Sequence, residues 1–70
     1  MIREGSEVTW KWGNGEAKGK IEETFDSTIT KTIRGTEVTR NGEPNNKALY
    51  IKTDDGDHVL KSESEVTHKK

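Results

Sequence analysis

The residue types that could carry chemistry in this sequence form three small groups. Aromatic side chains offer flat surfaces to a partner, and there are four of them: Trp10, Trp12, Phe25 and Tyr50. Ammonium groups that could contact phosphate are clustered in the first third of the chain, at Lys11, Lys18 and Lys20. Carboxylates that could hold a cation are densest in the segment 54–57, DDGD. What each group can do depends on the strands that carry it.

The stretch 8–21 predicts a β-hairpin that positions both tryptophans. Apolar residues alternate with polar ones along VTWKW, which is the period of a half-buried strand, and Asn14-Gly15 is a preferred type I′ turn. This turn would place Trp10 opposite Gly19, where a strand glycine leaves room for the ring. We therefore expect Trp10 to be buried and Trp12, beside the turn, to stay partly exposed.

On the outer face, the same register would place Lys11 opposite Lys18 and Thr9 opposite Lys20. Like charges that face each other across a sheet are mildly destabilising, which favours a functional explanation, and nucleic-acid phosphate is the first candidate ligand. Four glutamates close in sequence and a net charge of -1 oppose that interpretation. A solvated strand face that discourages edge aggregation is the structural alternative.

The second strand continues to Phe25, and strict alternation would put Phe25 on the same side as Ile21. The run 28–34, TITKTIR, predicts a third strand with its threonines on one face and its isoleucines on the other. Gly35-Thr36 fits a type II′ turn that pairs Ile33 with Val38, and this turn is preferred here to one at Arg34-Gly35.

The segment 41–47, NGEPNNK, predicts a surface loop because its proline cannot lie in a central strand. Residues 48–53 predict a further strand, and Asp55-Gly56 a type I′ turn that places Ile51 opposite Leu60. Leu49, Ile51 and Leu60 would then face the core, and Tyr50 and Val59 the opposite side. The tail 62–70 predicts a short closing turn or strand, with residues 68–70 frayed.

Composition indicates a small all-β domain. Only 26% of the 70 residues are hydrophobic and 36% are charged, but the apolar residues alternate between turn signals, as they do when a sheet concentrates them on one face. An open meander of five or six strands would leave two edges and a wet apolar face, so we expect it to close into a small SH3-like barrel. We expect one domain over 1–70, with its core at about 5–67.

The same composition bounds the function. There is no cysteine, which excludes a disulfide framework and a thiol nucleophile. Segment 54–57 is better explained as a hairpin turn than as a metal site, and His58 and His68 have no partner at ligand spacing. No nucleophile, base and orienting group can be assembled, so we expect no enzyme, metal or cofactor. With no apolar run of membrane length, we expect a cytoplasmic protein that does not bind a membrane. We also expect it to be a monomer.

The order of short motifs resembles the hypervirulence-associated protein Tudor domain family over nearly the whole chain. The residues that carry the resemblance are mostly glycines and strand residues: Gly5, Val8, Trp10, Gly13, Gly15, Gly19-Lys20-Ile21, Thr39-Arg40, Ala48-Leu49-Tyr50-Ile51, Asp55-Gly56, Val59-Leu60-Lys61 and Ser64-Glu65-Val66. The resemblance implies a Tudor-like, SH3-like barrel and carries no catalytic residue. Members often have proline just before the strand that begins at Ala48, where this chain has Lys47.

The resemblance also raises an aromatic cage, since better-known Tudor domains bind methylated lysine or arginine by cation-π contact. Such a cage would use Trp12 and Tyr50, with Phe25 as a third ring, although burial of these rings in the core is the simpler explanation. Arg40 and Lys61 belong to the motif and are candidate contacts. Their structural explanation is an ion pair of either one with Glu65, beside a short turn that starts at Ser64.

Three functional hypotheses follow. The preferred one is a non-enzymatic module that binds a protein or peptide at the rim, through Trp12, Tyr50, Arg40 and Lys61. The first alternative is nucleic-acid binding through Lys11, Lys18 and Lys20, with a steep dependence on salt. The second is a small accessory stress-related protein with no discrete pocket.

Overall fold

The structure, a computed structural model, describes residues 3–69, and these residues form an antiparallel all-β fold. Its elements are, in chain order, β1 (Glu7–Trp12), β2 (Gly15–Phe25), β3 (Ile29–Ile33), β4 (Thr36–Arg40), β5 (Ala48–Thr53), β6 (His58–Ser62), a single 3₁₀ turn (Glu63–Glu65) and β7 (Thr67–Lys69). The all-β prediction is confirmed, with one strand more than the five or six expected. None of the described residues belongs to a helix of the length and apolarity that a membrane crossing requires.

The strands do not form the predicted meander. One sheet has the order β6-β5-β2-β1-β7, and β3 and β4 form a separate two-stranded sheet. The reason lies in β2, whose eleven residues pair with β1 over its first half and with β5 over its second. Residues 28–41, which contain β3 and β4, therefore leave the main sheet as a hairpin, called the arm below.

The first hairpin forms with a register two residues away from the predicted one. Its turn is Gly13-Asn14, with Gly13 at a φ of 57°, and Trp10 lies opposite Ala17 instead of Gly19. A shift of two keeps every side chain on its predicted face, so Trp10 is buried as expected, at 4% exposure. The shift also places Val8 opposite Gly19.

The arm turns at Arg34-Gly35, so the predicted turn at Gly35-Thr36 is wrong. Arg34 has a φ of 53° and Gly35 a φ of 77°, the two positive values of a type I′ turn, and this turn pairs Ile33 with Thr36 instead of Val38. A shift of two residues leaves the faces unchanged, so Lys31 shares the inner face of the arm with Ile29 and Ile33, and it lies opposite Val38. The threonines lie on the outer face, as predicted, and are exposed.

The hairpin of β5 and β6 is shifted by one residue. Its loop has three residues, 54–56, with Gly56 at a φ of 91°, and it is closed by a bond from Thr53 N–H to the Asp57 carbonyl at 2.7 Å. A shift of one exchanges the faces, so Val59 lies opposite Ile51 and Leu60 opposite Tyr50, which reverses the prediction for Val59 and Leu60. Leu60 is nevertheless buried, on the face of β6 that the arm contacts.

A bulge moves Phe25 to that second face as well. The register between β2 and β5 shifts between Ile21 and Glu23, which leaves Glu22 as an extra residue. Ile21 then lies opposite Ile51, while Phe25 lies opposite Ala48, two places after Glu23. The prediction that Phe25 shares a side with Ile21 is wrong for this reason.

The C-terminal segment closes the other edge of the main sheet. β7 pairs with β1, placing His68 opposite Val8, so the predicted fraying is wrong for residues 68 and 69. Residue 70 lies outside the described part of the chain. The 3₁₀ turn follows Ser62, whose N–H donates to Glu65 Oε1 at 2.9 Å, and it does not begin at Ser64. Its first residue, Glu63, exchanges hydrogen bonds with the Lys47 backbone and so fixes the predicted loop.

The main core lies on one face of the five-stranded sheet. Its fully or nearly fully buried members come from three strands: Val8, Trp10, Ile21, Leu49 and Ile51. Ala17, Val59 and Val66 pack against them. Gly19 is buried between β1 and β5, and a Cβ at this position would overlap the Lys52 carbonyl oxygen and lie 2.8 Å from Ile51 Cγ2.

We predict that Gly19→Ala destabilises the protein by about 1–3 kcal/mol, because the added methyl group meets backbone that cannot move without opening the β2–β5 ladder. That loss is large for a chain whose free energy of unfolding is expected to be roughly 4–10 kcal/mol. Urea denaturation followed by tryptophan fluorescence measures it. The matched control is Gly15→Ala, since a Cβ there meets nothing within 4 Å; equal losses for both variants would contradict the argument.

The loop 54–56 yields a prediction about pH. The Thr53 hydroxyl, which donates to the Asp55 carboxylate, holds the pKa of Asp55 below its ordinary value of 3.8, with help from the Asp57 backbone. A carboxyl whose pKa is lower in the folded state stabilises the fold at pH values above its unfolded pKa. This contribution to stability is lost as the pH falls through the folded-state pKa. The stability advantage of the wild type over Asp55→Asn should therefore shrink below about pH 4. Urea midpoints at pH 6 and pH 2 test this, and an unchanged difference would refute it.

Candidate binding groove beside Trp12

A groove of about 730 Å³ lies where the first hairpin, the tip of the arm and the β5–β6 loop meet. The first hairpin contributes both tryptophans and residues 16–18, the arm contributes Ile33 and Arg34, and the third wall comes from residues 53–55 and 57–59. We call this the Trp12 groove. Each wall is a turn or the strand end next to it, so the three turn geometries described above determine its shape.

The floor of the groove is apolar. Trp10, Ala17 and Val59 line it and belong to, or pack against, the main core. Trp12 stands at its edge with 73% of its surface exposed, and it is the large hydrophobic residue that the described part of the chain leaves in solvent. A single indole next to an apolar floor is the kind of surface that a partner side chain covers.

The walls of the groove carry more negative than positive charge. Four carboxylates line it, from Glu16, Asp54, Asp55 and Asp57, against two cationic side chains, Lys18 and Arg34. Both cations are already in ion pairs within the groove. Lys18 Nζ lies 3.6 Å from Asp54 Oδ2, and Arg34 Nη2 lies 3.2 Å from Asp57 Oδ2. Of the other two carboxylates, Glu16 lies opposite Lys11 in the β1–β2 ladder, so Asp55 gives the groove its negative net charge.

Of the four residues predicted to contact a protein partner, only Trp12 lines the groove. Tyr50 does not line the groove but stacks on His58, which does, with ring centroids 4.7 Å apart and an interplanar angle of 7°. Arg40 forms one of the two predicted ion pairs, with its Nε 3.2 Å from Glu65 Oε1. Arg40 Nε is buried, and this contact is an ion pair without hydrogen-bond alignment. Lys61 is half-buried in β6, opposite Leu49.

The structure brings Phe25 and Tyr50 together, but around a residue of the chain itself. Lys31 Nζ lies 5.3 Å from the ring centroid of Phe25 and 4.8 Å from that of Tyr50, and it donates to Glu23 Oε1 at 3.0 Å. Trp12 is not part of this arrangement, since neither Phe25 nor Tyr50 lines the Trp12 groove. The two rings and the carboxylate thus already hold an ammonium group, that of the arm.

The lysine patch on the first hairpin does not have the predicted pairing. Lys11 lies opposite Glu16 and Lys20 opposite Glu7, so two of the three lysines face a carboxylate across the ladder. Lys18 lies opposite Thr9 and pairs with Asp54. The predicted like-charge contact between Lys11 and Lys18 is absent from this register, because the two-residue shift places Glu16 opposite Lys11. On the other edge of β2, Lys20 does lie opposite a second lysine, Lys52.

Sequence reasoning missed the groove residues outside the first hairpin. Ile33 and Arg34 reach the groove only because the arm turns at Arg34-Gly35, and Val59 only because the 54–56 loop has three residues. The Arg-Gly pair and the Asp-Gly pair were the available signals, and each fits two turn types. His58 also lines the groove, and its Nε2 lies 2.8 Å from Glu22 Oε1. Within residues 3–69, no three His, Cys, Asp or Glu side chains come close enough to hold a metal ion.

Comparison with known proteins gives a single finding. The family described as the TUDOR domain of hypervirulence associated proteins matches residues 5–66, which is nearly the whole chain. The matched range contains β1 to β6 and ends just before β7. No curated protein and no solved structure matches the chain. The family match confirms the resemblance drawn from the glycine-led motifs between Gly5 and Val66. The chain belongs to the Tudor domain family of the hypervirulence-associated proteins.

Proposed function

We propose that this protein is a non-enzymatic binding module that receives a segment of a partner protein in the Trp12 groove. A Tudor-type domain is in general a binding module, which supports the broad part of the proposal. We also infer that its two sheets correspond to a Tudor-like, SH3-like barrel whose mouth is this groove. The single observation that carries the proposal is the exposure of Trp12 at the edge of an apolar floor.

The energetic reason lies in what a partner would cover. A tryptophan with 73% of its surface exposed gives little stability to the fold, whereas a partner side chain that removes it from water gains the hydrophobic contribution of a large ring. Trp is the residue type most often found to dominate binding energy at interfaces, and truncation of such an anchor costs about 2 kcal/mol or more. The groove is also large enough for one or two side chains of a peptide.

The lysines favour the nucleic-acid alternative less than the groove favours a protein segment. Glu16 and Glu7 lie opposite Lys11 and Lys20, and Lys18 is paired with Asp54, so phosphate would have to compete with carboxylates that are already in place. Base stacking would fall to Trp12 alone, at the end of the hairpin where Glu16 also lies.

Selection of a random dodecapeptide library on the immobilised protein tests the proposal. Selected peptides should bind wild type and lose about thirtyfold or more in affinity on Trp12→Ala, measured by calorimetry, since that factor corresponds to the loss of an aromatic anchor. The control is Thr32→Ala, an exposed change on the outer face of the arm that should leave affinity unaltered. Peptides that bind Trp12→Ala as tightly as wild type would refute the proposal. The proposal would also be refuted if the library yielded no binders while the protein bound an oligonucleotide and Lys11→Ala abolished that binding.

A further inference from the structure

We infer that the segment received by the Trp12 groove carries a lysine or arginine next to an apolar side chain, and that Arg34 occupies the place of that cation in the free protein. The inference rests on the proposed function and names the chemistry of its partner. The acidic wall of the groove, formed by Asp54, Asp55 and Asp57, would receive the basic side chain. The apolar part of the groove would receive the side chain next to it in the same peptide.

The first argument is charge complementarity. Lys18 and Arg34 offset Asp54 and Asp57, and Glu16 lies opposite Lys11. The fourth carboxylate, Asp55, leaves the groove with a negative net charge before binding. An incoming acidic segment would meet this surplus at short range, and like charges brought together at an interface are strongly unfavourable. A basic segment is attracted both during approach and in the bound state.

The second argument is that a guanidinium already lies there. Arg34 reaches Asp57 from the tip of the arm, and its charge acts on Asp55 too, where it adds to the larger effect of the Thr53 hydroxyl in keeping the pKa of that carboxyl low. The Arg34 side chain is 75% exposed, so its ion pair is solvated and weak. A cation delivered by a partner, together with apolar contact, can replace it at small cost.

The internal site of Lys31 shows the opposite case. That ammonium is held by two rings and a carboxylate, and its side chain is only 29% exposed. A partner cation would have to displace three contacts and lift the arm from the sheet. The groove is therefore where an external cation is accepted, whereas Phe25 and Tyr50 serve the arm.

The apolar half of the partner would lie beside the cation. Trp12, Ile33 and Val59 border the acidic wall, so an aliphatic side chain adjacent to the basic one would cover them. The face of Trp12 can also accept part of a guanidinium by cation-π contact. This arrangement separates a basic protein segment from a simple polyamine, which has no side chain for the floor.

Three acetylated and amidated peptides that differ at one position test the inference: GSLRLSG, GSLQLSG and GSLELSG. We expect wild type to bind the arginine peptide about two- to fivefold tighter than the glutamine peptide, and the glutamate peptide weakest, since an exposed charge contact contributes up to about that factor. Arg34→Asn should raise the ratio of arginine-peptide to glutamine-peptide affinity about threefold, because the internal competitor for Asp57 is gone. Asn tolerates the positive φ of this turn, so the variant keeps the arm in place.

The outcomes separate the inference from the proposed function. Equal binding of the arginine and glutamine peptides, both lost in Trp12→Ala, would overturn the inference and keep the groove as a peptide site. Tighter binding of the glutamate peptide, or a lower ratio of arginine-peptide to glutamine-peptide affinity in Arg34→Asn, would also overturn it. Asp57→Asn provides a second check, because it should lower the ratio of arginine-peptide to glutamine-peptide affinity. Spermine that binds wild type as tightly as the arginine peptide would overturn the need for an apolar neighbour. Peptide affinities insensitive to Trp12→Ala would refute the proposed function itself.

Discussion

The close approach of β5 to β2 at Gly19 is the contact on which the rest of the structure depends. Gly19 lies opposite Val8 in β1 and opposite Thr53 in β5, so three strands meet where there is no side chain. The Lys52 carbonyl and the Ile51 side chain fill the space that a Cβ would take. Because β2 is committed to β1 on one edge and β5 on the other, the arm has no place in the main sheet and must lie on its second face.

Two single-residue irregularities then decide what that second face contains. The bulge at Glu22 turns Phe25 away from the main core, and the three-residue loop 54–56 turns Leu60 the same way. With Tyr50 they form an apolar and aromatic surface that an open sheet would leave wet. A chain with few hydrophobic residues thus buries or half-buries side chains on both faces of β2, β5 and β6, and the arm covers the second face.

These features explain which parts of the structure could be predicted from the sequence. The burial of Trp10 and the exposure of Trp12 were predictable, since alternation survives a register error of two residues. The faces of Phe25 and Leu60 were not, because a bulge or one extra loop residue reverses the face and neither has a local signature here. The groove was half predictable. Trp12 follows from alternation, whereas Arg34 reaches the groove only through a type I′ turn in which it takes a positive φ, and an arginine does not signal that conformation as a glycine would.

Three cations attach the arm to the body, and the one at its tip is the most exposed. Lys31 pairs with Glu23 and Arg40 with Glu65, with side chains 29% and 37% exposed, whereas Arg34 pairs with Asp57 at 75% exposure. Solvent screens an ion pair more strongly the more it is exposed, so the two inner pairs hold the arm in position and the outer one can exchange. The position of Arg34 in the groove is therefore fixed by the rest of the arm and not by its own ion pair. A partner can take Asp57 from Arg34 without dismantling the wall that Arg34 belongs to, which is what a groove needs if it is to bind and release a basic segment reversibly.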